Sequence, residues 1–239
     1  QTSLIFVIVP VVIISMAVLS LMGYLSSKAI IQTSAGNEMS QCLSVAMGSI
    51  EMSLSNNRMV AETMARGVEA VQRQAVKGEQ TASDWDAAAY QEILTSFVGS
   101  NPETFGGGIW FEPYQYRPEQ RYFSPYCMRQ NGAVTYVDNY SLGEGVYYTD
   151  QDWYTNAANT TQKSVWSAPY YDEFAQISMV TSSAPIYDET GRFLGVATAD
   201  IDLTQMQQMV LSLDVVANGR AFLIDDTGVY IADEDSEKL

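Results

Sequence analysis

The residue types present narrow the chemistry open to this chain before any fold is considered. There is no histidine, so no Ser-His or Cys-His pair can activate a nucleophile and no imidazole can bind a metal. Cys42 and Cys127 lie far apart, in different predicted elements, and read as free thiols rather than a disulfide framework or a zinc site. What remains is carboxylate chemistry. Asp172 follows Pro169-Tyr170-Tyr171 in a predicted loop with no evident cap to make, and Asp200 ends a predicted strand, where it also suits the N-cap of the next helix. A carboxylate beside aromatic rings can hold an ammonium through charge, hydrogen bonds and π faces. Two carboxylates could also serve acid–base hydrolysis, so a carboxylate-dependent enzyme stands as a remote alternative. No metal and no cofactor is expected.

The charge balance points the same way. Lys and Arg total 12 against 28 Asp and Glu, a net charge of −16. From Asp138 onward 17 acidic residues face only Lys163, Arg192, Arg220 and Lys238. A surface of this sign repels phosphates, which argues against nucleic acid as a partner, and raises the local concentration of small cations.

The elements that must position these residues begin with an uncharged run of 22 residues, Leu4 to Leu25, long enough to cross about 30 Å of hydrocarbon as a helix. A cleaved signal peptide has a shorter apolar stretch, so a membrane span at 4–25 is expected. The chain beyond the span is polar, Tyr-rich and acidic, with Lys28 the nearby positive charge, which makes the C-terminal side the extracytoplasmic one. Leu43, Met47, Ile50, Leu54, Asn57, Ala61, Met64, Val68, Val71 and Ala75 then recur at alternating spacings of four and three. This is a helical seam, serving either packing on the chain's own domain or a homodimer contact along the long helix.

A break at Gly78 to Ser83, with Ser83 as cap, leads to a second helix over about Asp84 to Phe97, so that 26–100 is helical. The period then changes to that of strands at Phe105 to Phe111, Arg121 to Arg129, Ala133 to Val137, Gln176 to Ile186 and Phe193 to Ala199, with a short helix at Asp152 to Asn159. The expected fold class is α+β, two helices followed by a five-stranded antiparallel sheet. A connecting helix over Leu203 to Leu213 (203–218) precedes a fresh hairpin at 219–239, which cannot bury its own face and so reads as the opening of a second module.

In this order of elements the chain resembles the double Cache family of bacterial sensors, PAS-like domains found outside chemoreceptors, sensor histidine kinases and cyclic-dinucleotide enzymes. The resemblance covers most of the chain. It is carried by the span running into a long helix, by Asp152-Trp153-Tyr154-Thr155-Asn156-Ala157, by Val165-Trp166-Ser167-Ala168-Pro169-Tyr170-Tyr171-Asp172, and by Ala184-Pro185-Ile186-Tyr187 leading to Gly195-Val196-Ala197-Thr198-Ala199-Asp200. It implies an inner-membrane receptor, a methyl-accepting chemotaxis protein, with two stacked extracytoplasmic modules and the ligand in the membrane-distal one, here 101–202.

The resemblance also implies a pocket. Members that bind amino acids hold the ligand carboxylate with an Arg two residues before a Trp-Tyr pair and the ammonium with Asp residues further on. Carried over, the pattern gives Trp153, Tyr154, Tyr170, Asp172 and Asp200, with Tyr148 or Tyr147 near an upstream Tyr position occupied by Val146. Gln151 stands where the Arg is expected, and an amide offers neither the charge nor the fork of a guanidinium. The ammonium half of the pocket is thus kept and the carboxylate half is not. The expected ligand is an amine or other small cation, the alternative being an amino acid sensed by a histidine kinase or cyclic-dinucleotide enzyme.

Overall fold

The computed structural model describes residues 2–76, 87–137, 140, 147–213, 220–225 and 227–233, with side chains from residue 12 to 70 and from 88 onward within those ranges. One helix, α1, runs from Thr2 to Val76. At about 1.5 Å per residue it is roughly 110 Å long. Its apolar stretch from Val12 to Ser34 is exposed throughout, and α1 is the one described helix long and apolar enough to cross a membrane.

The folded module continues as α2 (Ala87–Ser100), β1 (Gly106–Phe111), β2 (Tyr126–Gln130), β3 (Ala133–Val137), α3 (Asp152–Ala158), β4 (Val165–Trp166), β5 (Tyr170–Asp172), β6 (Ile177–Tyr187), β7 (Phe193–Asp202) and α4 (Leu203–Leu211). One antiparallel sheet carries the order β3-β2-β1-β7-β6-β4, with β5 also paired to β6. It has seven strands rather than five. The two extra, β4 and β5, are two and three residues long, too short for any period to register. The Arg121 to Arg129 run enters the sheet only at Tyr126.

The sheet is buried on both sides, so β6 and β7 read as nearly continuous buried strands. Side chains alternate across it. One face, with Ile109, Phe111, Cys127, Ala184, Ala197 and Ala199, packs on Val60, Ala61, Met64 and Val68 of α1 and on Tyr90, Leu94 and Val98 of α2. The other face carries an aromatic layer that includes Trp110, Tyr126, Tyr140, Trp153 and Tyr154.

The packing reading of the α1 seam is corrected in its lower half. Leu43 and Met47 are exposed, and Ala46 and Ser53 are buried instead. An alternation of four and three averages 3.5 residues per turn, whereas a straight helix turns every 3.6, so a face drawn at the heptad period drifts by about 20° per heptad. Over Asn57 to Val68 the two coincide, and that stretch packs on the sheet. Asn57, the polar member, is fully buried and satisfied: its Nδ2 donates to Ser53 O at 3.0 Å and its Oδ1 accepts from Thr104 Oγ1 at 2.8 Å. The side chains of Val71 and Ala75, the break at Gly78 to Ser83 and the first residues of the second helix lie outside the described residues.

Three glycines open β1. A Cβ on Gly106 would stand 2.0 Å from Tyr126 Oη and 3.1 Å from Asp200 Oδ2, and one on Gly107 would meet Met64 Cε at 3.3 Å. The bare backbone thus admits the Tyr126 ring on one face and α1 on the other.

A separate hairpin, β8 (Leu223–Ile224) with β9 (Tyr230–Ala232), comes after α4. Its turn repeats that of β6–β7. In both, an aspartate Oδ1 accepts from the N and Oγ1 of a threonine two residues on and from the N four residues on: Asp188 with Thr190 and Arg192, Asp225 with Thr227 and Val229. Both turns close on a glycine of positive φ, Gly191 at 82° and Gly228 at 88°.

Gly106→Ala should lower stability by about 1–3 kcal/mol through overpacking. Gly67→Ala, on an open face of α1, should gain up to about 1 kcal/mol. Urea unfolding of the two variants checks both signs.

Candidate ligand-binding site

Between the sheet and the aromatic layer lies a cavity lined by Trp110, Tyr126, Tyr140, Trp153, Tyr170, Asp172, Met179, Thr181, Thr198 and Asp200. Its floor comes from the central strands. On β7, Thr198 and Asp200 point to this face, and their cross-strand neighbours are Gly108 and Gly106 on one side and Ser183 and Thr181 on the other. The walls are rings. Trp110 sits 4.8 Å from Trp153, 5.6 Å from Tyr126 and 5.1 Å from Tyr140, centroid to centroid. The space left open to the centre of a water molecule is about 10 Å³, room for about one water. A larger ligand must part the rings to enter.

Both carboxylates are buried and held by hydroxyl or amide donors. Asp200 Oδ2 accepts from Tyr126 Oη at 2.7 Å and Oδ1 from Thr181 Oγ1 at 2.8 Å, and Tyr170 Oη lies 2.8 Å from the same threonine oxygen. Asp172 Oδ2 accepts from Tyr140 Oη and Oδ1 from Ala175 N at 2.7 Å. Among the described residues no Lys, Arg or His lines the cavity. Burial therefore raises the Asp200 carboxyl to about 7, with the Asp172 charge adding to the effect and the Tyr126 and Thr181 hydrogen bonds opposing it. Burial likewise pushes the Tyr126 and Tyr170 hydroxyls well above the usual phenol range, so both remain donors.

The structure thus brings Trp153, Tyr170, Asp172 and Asp200 to one cavity. Asp172 is not in a loop but ends β5 at the hairpin turn, where it does make a cap, to Ala175 N. Asp200 is not the cap of α4; that role belongs to Asp202, whose side chain accepts from Thr204 N at 2.8 Å. Tyr148, Tyr154 and Gln151 do not line the cavity. Tyr148 Oη donates to Phe111 O at 2.6 Å, and Tyr154 Oη donates to Glu112 Oε2 at 2.7 Å. Gln151 is the N-cap residue of α3, without a side-chain cap bond. Position 146 lies outside the described residues.

Trp110, Tyr126, Tyr140, Met179, Thr181 and Thr198 were not singled out in the sequence. Trp110 and Thr198 are bonded to one another, Nε1 to Oγ1 at 2.7 Å, across an 88-residue separation that no local pattern encodes. The usable signal was Gly106-Gly107-Gly108 before Trp110, which announces a close approach to the strand.

Larger clefts lie elsewhere on the described surface. One, of about 470 Å³, lies against α1 between Arg58 and Lys163, and another, of about 450 Å³, between Trp166 and the β8–β9 hairpin, and neither is lined by a buried carboxylate. A third, of about 190 Å³, has the buried Glu69 in its lining, but that carboxylate is paired with Arg66.

A membrane-length helix continuous with a PAS-like antiparallel module, whose sheet carries a polar and aromatic cavity, is the architecture of a Cache-type sensor domain. Residues 90–208 match the family described as methyl-accepting chemotaxis protein-like, first PDC sensor domain, so this part of the chain is a sensor domain of that family. A stretch of 84 residues, 35% of this chain, is 38% identical to the methyl-accepting chemotaxis protein McpC of Bacillus subtilis. That stretch is 13% of McpC, so the chain spans a small part of this relative's length. The extracellular domain of the putative histidine kinase soHK1S-Z6 superposes with a TM-score of 0.68 at 25% identity, over 90% of this chain and 75% of that one. The ligand-binding domain of the Pseudomonas aeruginosa PAO1 amino acid chemoreceptor PctC, in complex with GABA, gives a TM-score of 0.58 at 17% identity, over 85% of this chain and 78% of that one.

Tyr154→Phe and Asp202→Ala each remove one hydrogen bond outside the cavity. Each should cost about 1 kcal/mol by thermal unfolding, and neither should change the exposure of the tryptophans to a fluorescence quencher.

Proposed function

We propose that this chain is the sensing region of a bacterial chemoreceptor of the inner membrane, with the module at 101–202 outside the cytoplasmic face, and that its ligand is a small amine or other cation lacking a carboxylate. One observation carries the ligand class: two buried carboxylates and several aromatic faces line the cavity, and no cationic side chain among the described residues does. An ammonium group there meets opposite charge and π faces in a dry site, whereas a ligand carboxylate would meet no guanidinium or ammonium. Gln151, at the position of the expected Arg, does not replace it. The family match and the McpC relative support a chemoreceptor output, while the kinase domain of similar fold keeps that alternative attached to the same sensor. The amino-acid reading rests on the PctC domain, whose bound GABA pairs an amine with a carboxylate. The hairpin at 219–239 is read as the opening of a second module, on the strength of its repeated turn.

The homodimer is assigned to the outward face of α1. Val45, Met52 and Met59 recur every seven residues and are all exposed; at about 100° per residue Met52 and Met59 lie on the side away from Asn57 and Met64, with Val45 drifting to the flank. Chains held by a shared bilayer run parallel, which lets such a seam meet its own copy.

Propylamine and GABA differ by one carboxylate, so a thermal-shift comparison of the two decides the ligand class. Propylamine should stabilise the chain more than GABA, and Asp172→Asn should remove the shift; stabilisation by GABA alone would give the amino-acid reading precedence. In a Cys42→Ser background, Met52→Cys and Met59→Cys should crosslink in membranes under oxidation and Met64→Cys should not. A crosslink only at Met64 would reject the outward face.

A further inference from the structure

Among the described residues the cavity presents two carboxylates and no cation, and this arrangement says what occupies the site before a ligand does. Around Asp200 stand Tyr126 from β2, Tyr170 and Asp172 from β5, Thr181 from β6, and the uncharged rings of Trp110, Tyr140 and Trp153. Asp200 is 3% exposed and Asp172 5%. No side chain on any of these elements brings positive charge to the cavity, and the hydroxyl donors satisfy hydrogen bonds without neutralising charge. Two like charges in one desolvated space are the condition under which one carboxyl keeps its proton.

We propose that the empty site holds a proton on Asp200 and that a cationic ligand binds by exchange with it, so that the receptor reads amine concentration against pH. The proposal rests on the cationic-ligand reading under Proposed function. The exchange balances in charge and atoms: the ligand arrives as an ammonium, its N–H groups hydrogen-bond the Asp200 carboxylate, and the Asp200 proton leaves to solvent. No bond of the ligand breaks. The carboxyl's elevation to about 7 fits a proton retained across the acid and neutral range. Tyr126 and Thr181 set the exchange point, because both donate to the charged form and so draw the acidity back toward that of an ordinary carboxylate.

The direction of the shift fixes the sign. The unfolded chain loses this proton near pH 4 and the folded chain near 7, so the stability contributed by the proton is complete below about pH 4 and is lost as pH rises to about 7. Ligand binding runs the other way. A cation selects the ionised form, so its affinity weakens roughly tenfold for each pH unit below the carboxyl's pKa and is level above it.

The experiment uses the full 239-residue chain in lipid nanodiscs. Carbon-13 NMR of labelled aspartate, without ligand, should show one buried carboxyl titrating near neutrality, absent in Asp200→Asn. Tyr126→Phe, which keeps the ring and removes a donor, should move that titration to higher pH. Calorimetry with propylamine at pH 6, in buffers of different ionisation heat, should then show release of about one proton per amine bound, falling toward none at pH 8.5. An Asp200 already ionised at pH 5 in the empty site overturns the proposal, as does amine binding with no proton released at pH 6. A protonated Asp200 with no propylamine binding at any pH overturns the cationic-ligand reading and the exchange, and leaves the proton's place intact, so the two failures are told apart.

Discussion

The structure is organised around a carboxylate buried in the middle of a β-sheet. A charge or a proton must be accommodated at Asp200, and nearly everything near it serves that requirement. The glycines of β1 leave room for the Tyr126 ring to reach Oδ2. Thr181, directly opposite on β6, supplies the second donor. Tyr170 continues the chain of hydroxyls to the cavity wall. Such a network is costly when partly satisfied and rigid when complete, which is why the donors come from three different strands instead of one mobile loop.

The same sheet connects the cavity to the long helix. Asp200 O accepts from Phe105 N at 2.8 Å, and the adjacent Thr104 holds Asn57 of α1 from within the core. Arg129 ties this corner together, its Nε on Thr104 O at 2.9 Å and its terminal nitrogen on Val98 O and Asn101 O. A buried polar contact of this kind fixes register, since sliding α1 by one residue would part Thr104 Oγ1 from Asn57 Oδ1 and leave both atoms buried without that bond.

The parts of the fold legible in the sequence were those with long, regular periods: the apolar helix, the β6–β7 hairpin and the short helix carrying Trp153. Strands β4 and β5 escaped because two or three residues show no alternation, and their membership depends on pairing with β6, which is a long-range fact. In the site, Asp172 and Asp200 were legible through the family pattern, and Trp153 and Tyr170 with them. Tyr148 and Tyr154 belong to the same motifs, but their hydroxyls are spent on Phe111 O and Glu112. Tyr126 and Thr181 could not be read as Asp200's donors because cross-strand register, not sequence proximity, puts them there.

The unbroken course of α1 has a mechanical consequence. The module grips the helix from about Ala46 onward, leaving residues 2–45 as a free arm of roughly 66 Å at 1.5 Å per residue. A stiff rod amplifies rotation: tilting it by about 1° at Asn57, roughly 82 Å from the tip, carries that tip about 1.4 Å sideways, within the range of helix displacement that switching proteins use. A sub-ångström adjustment at the corner of the sheet is therefore enlarged at the opposite end of the lever.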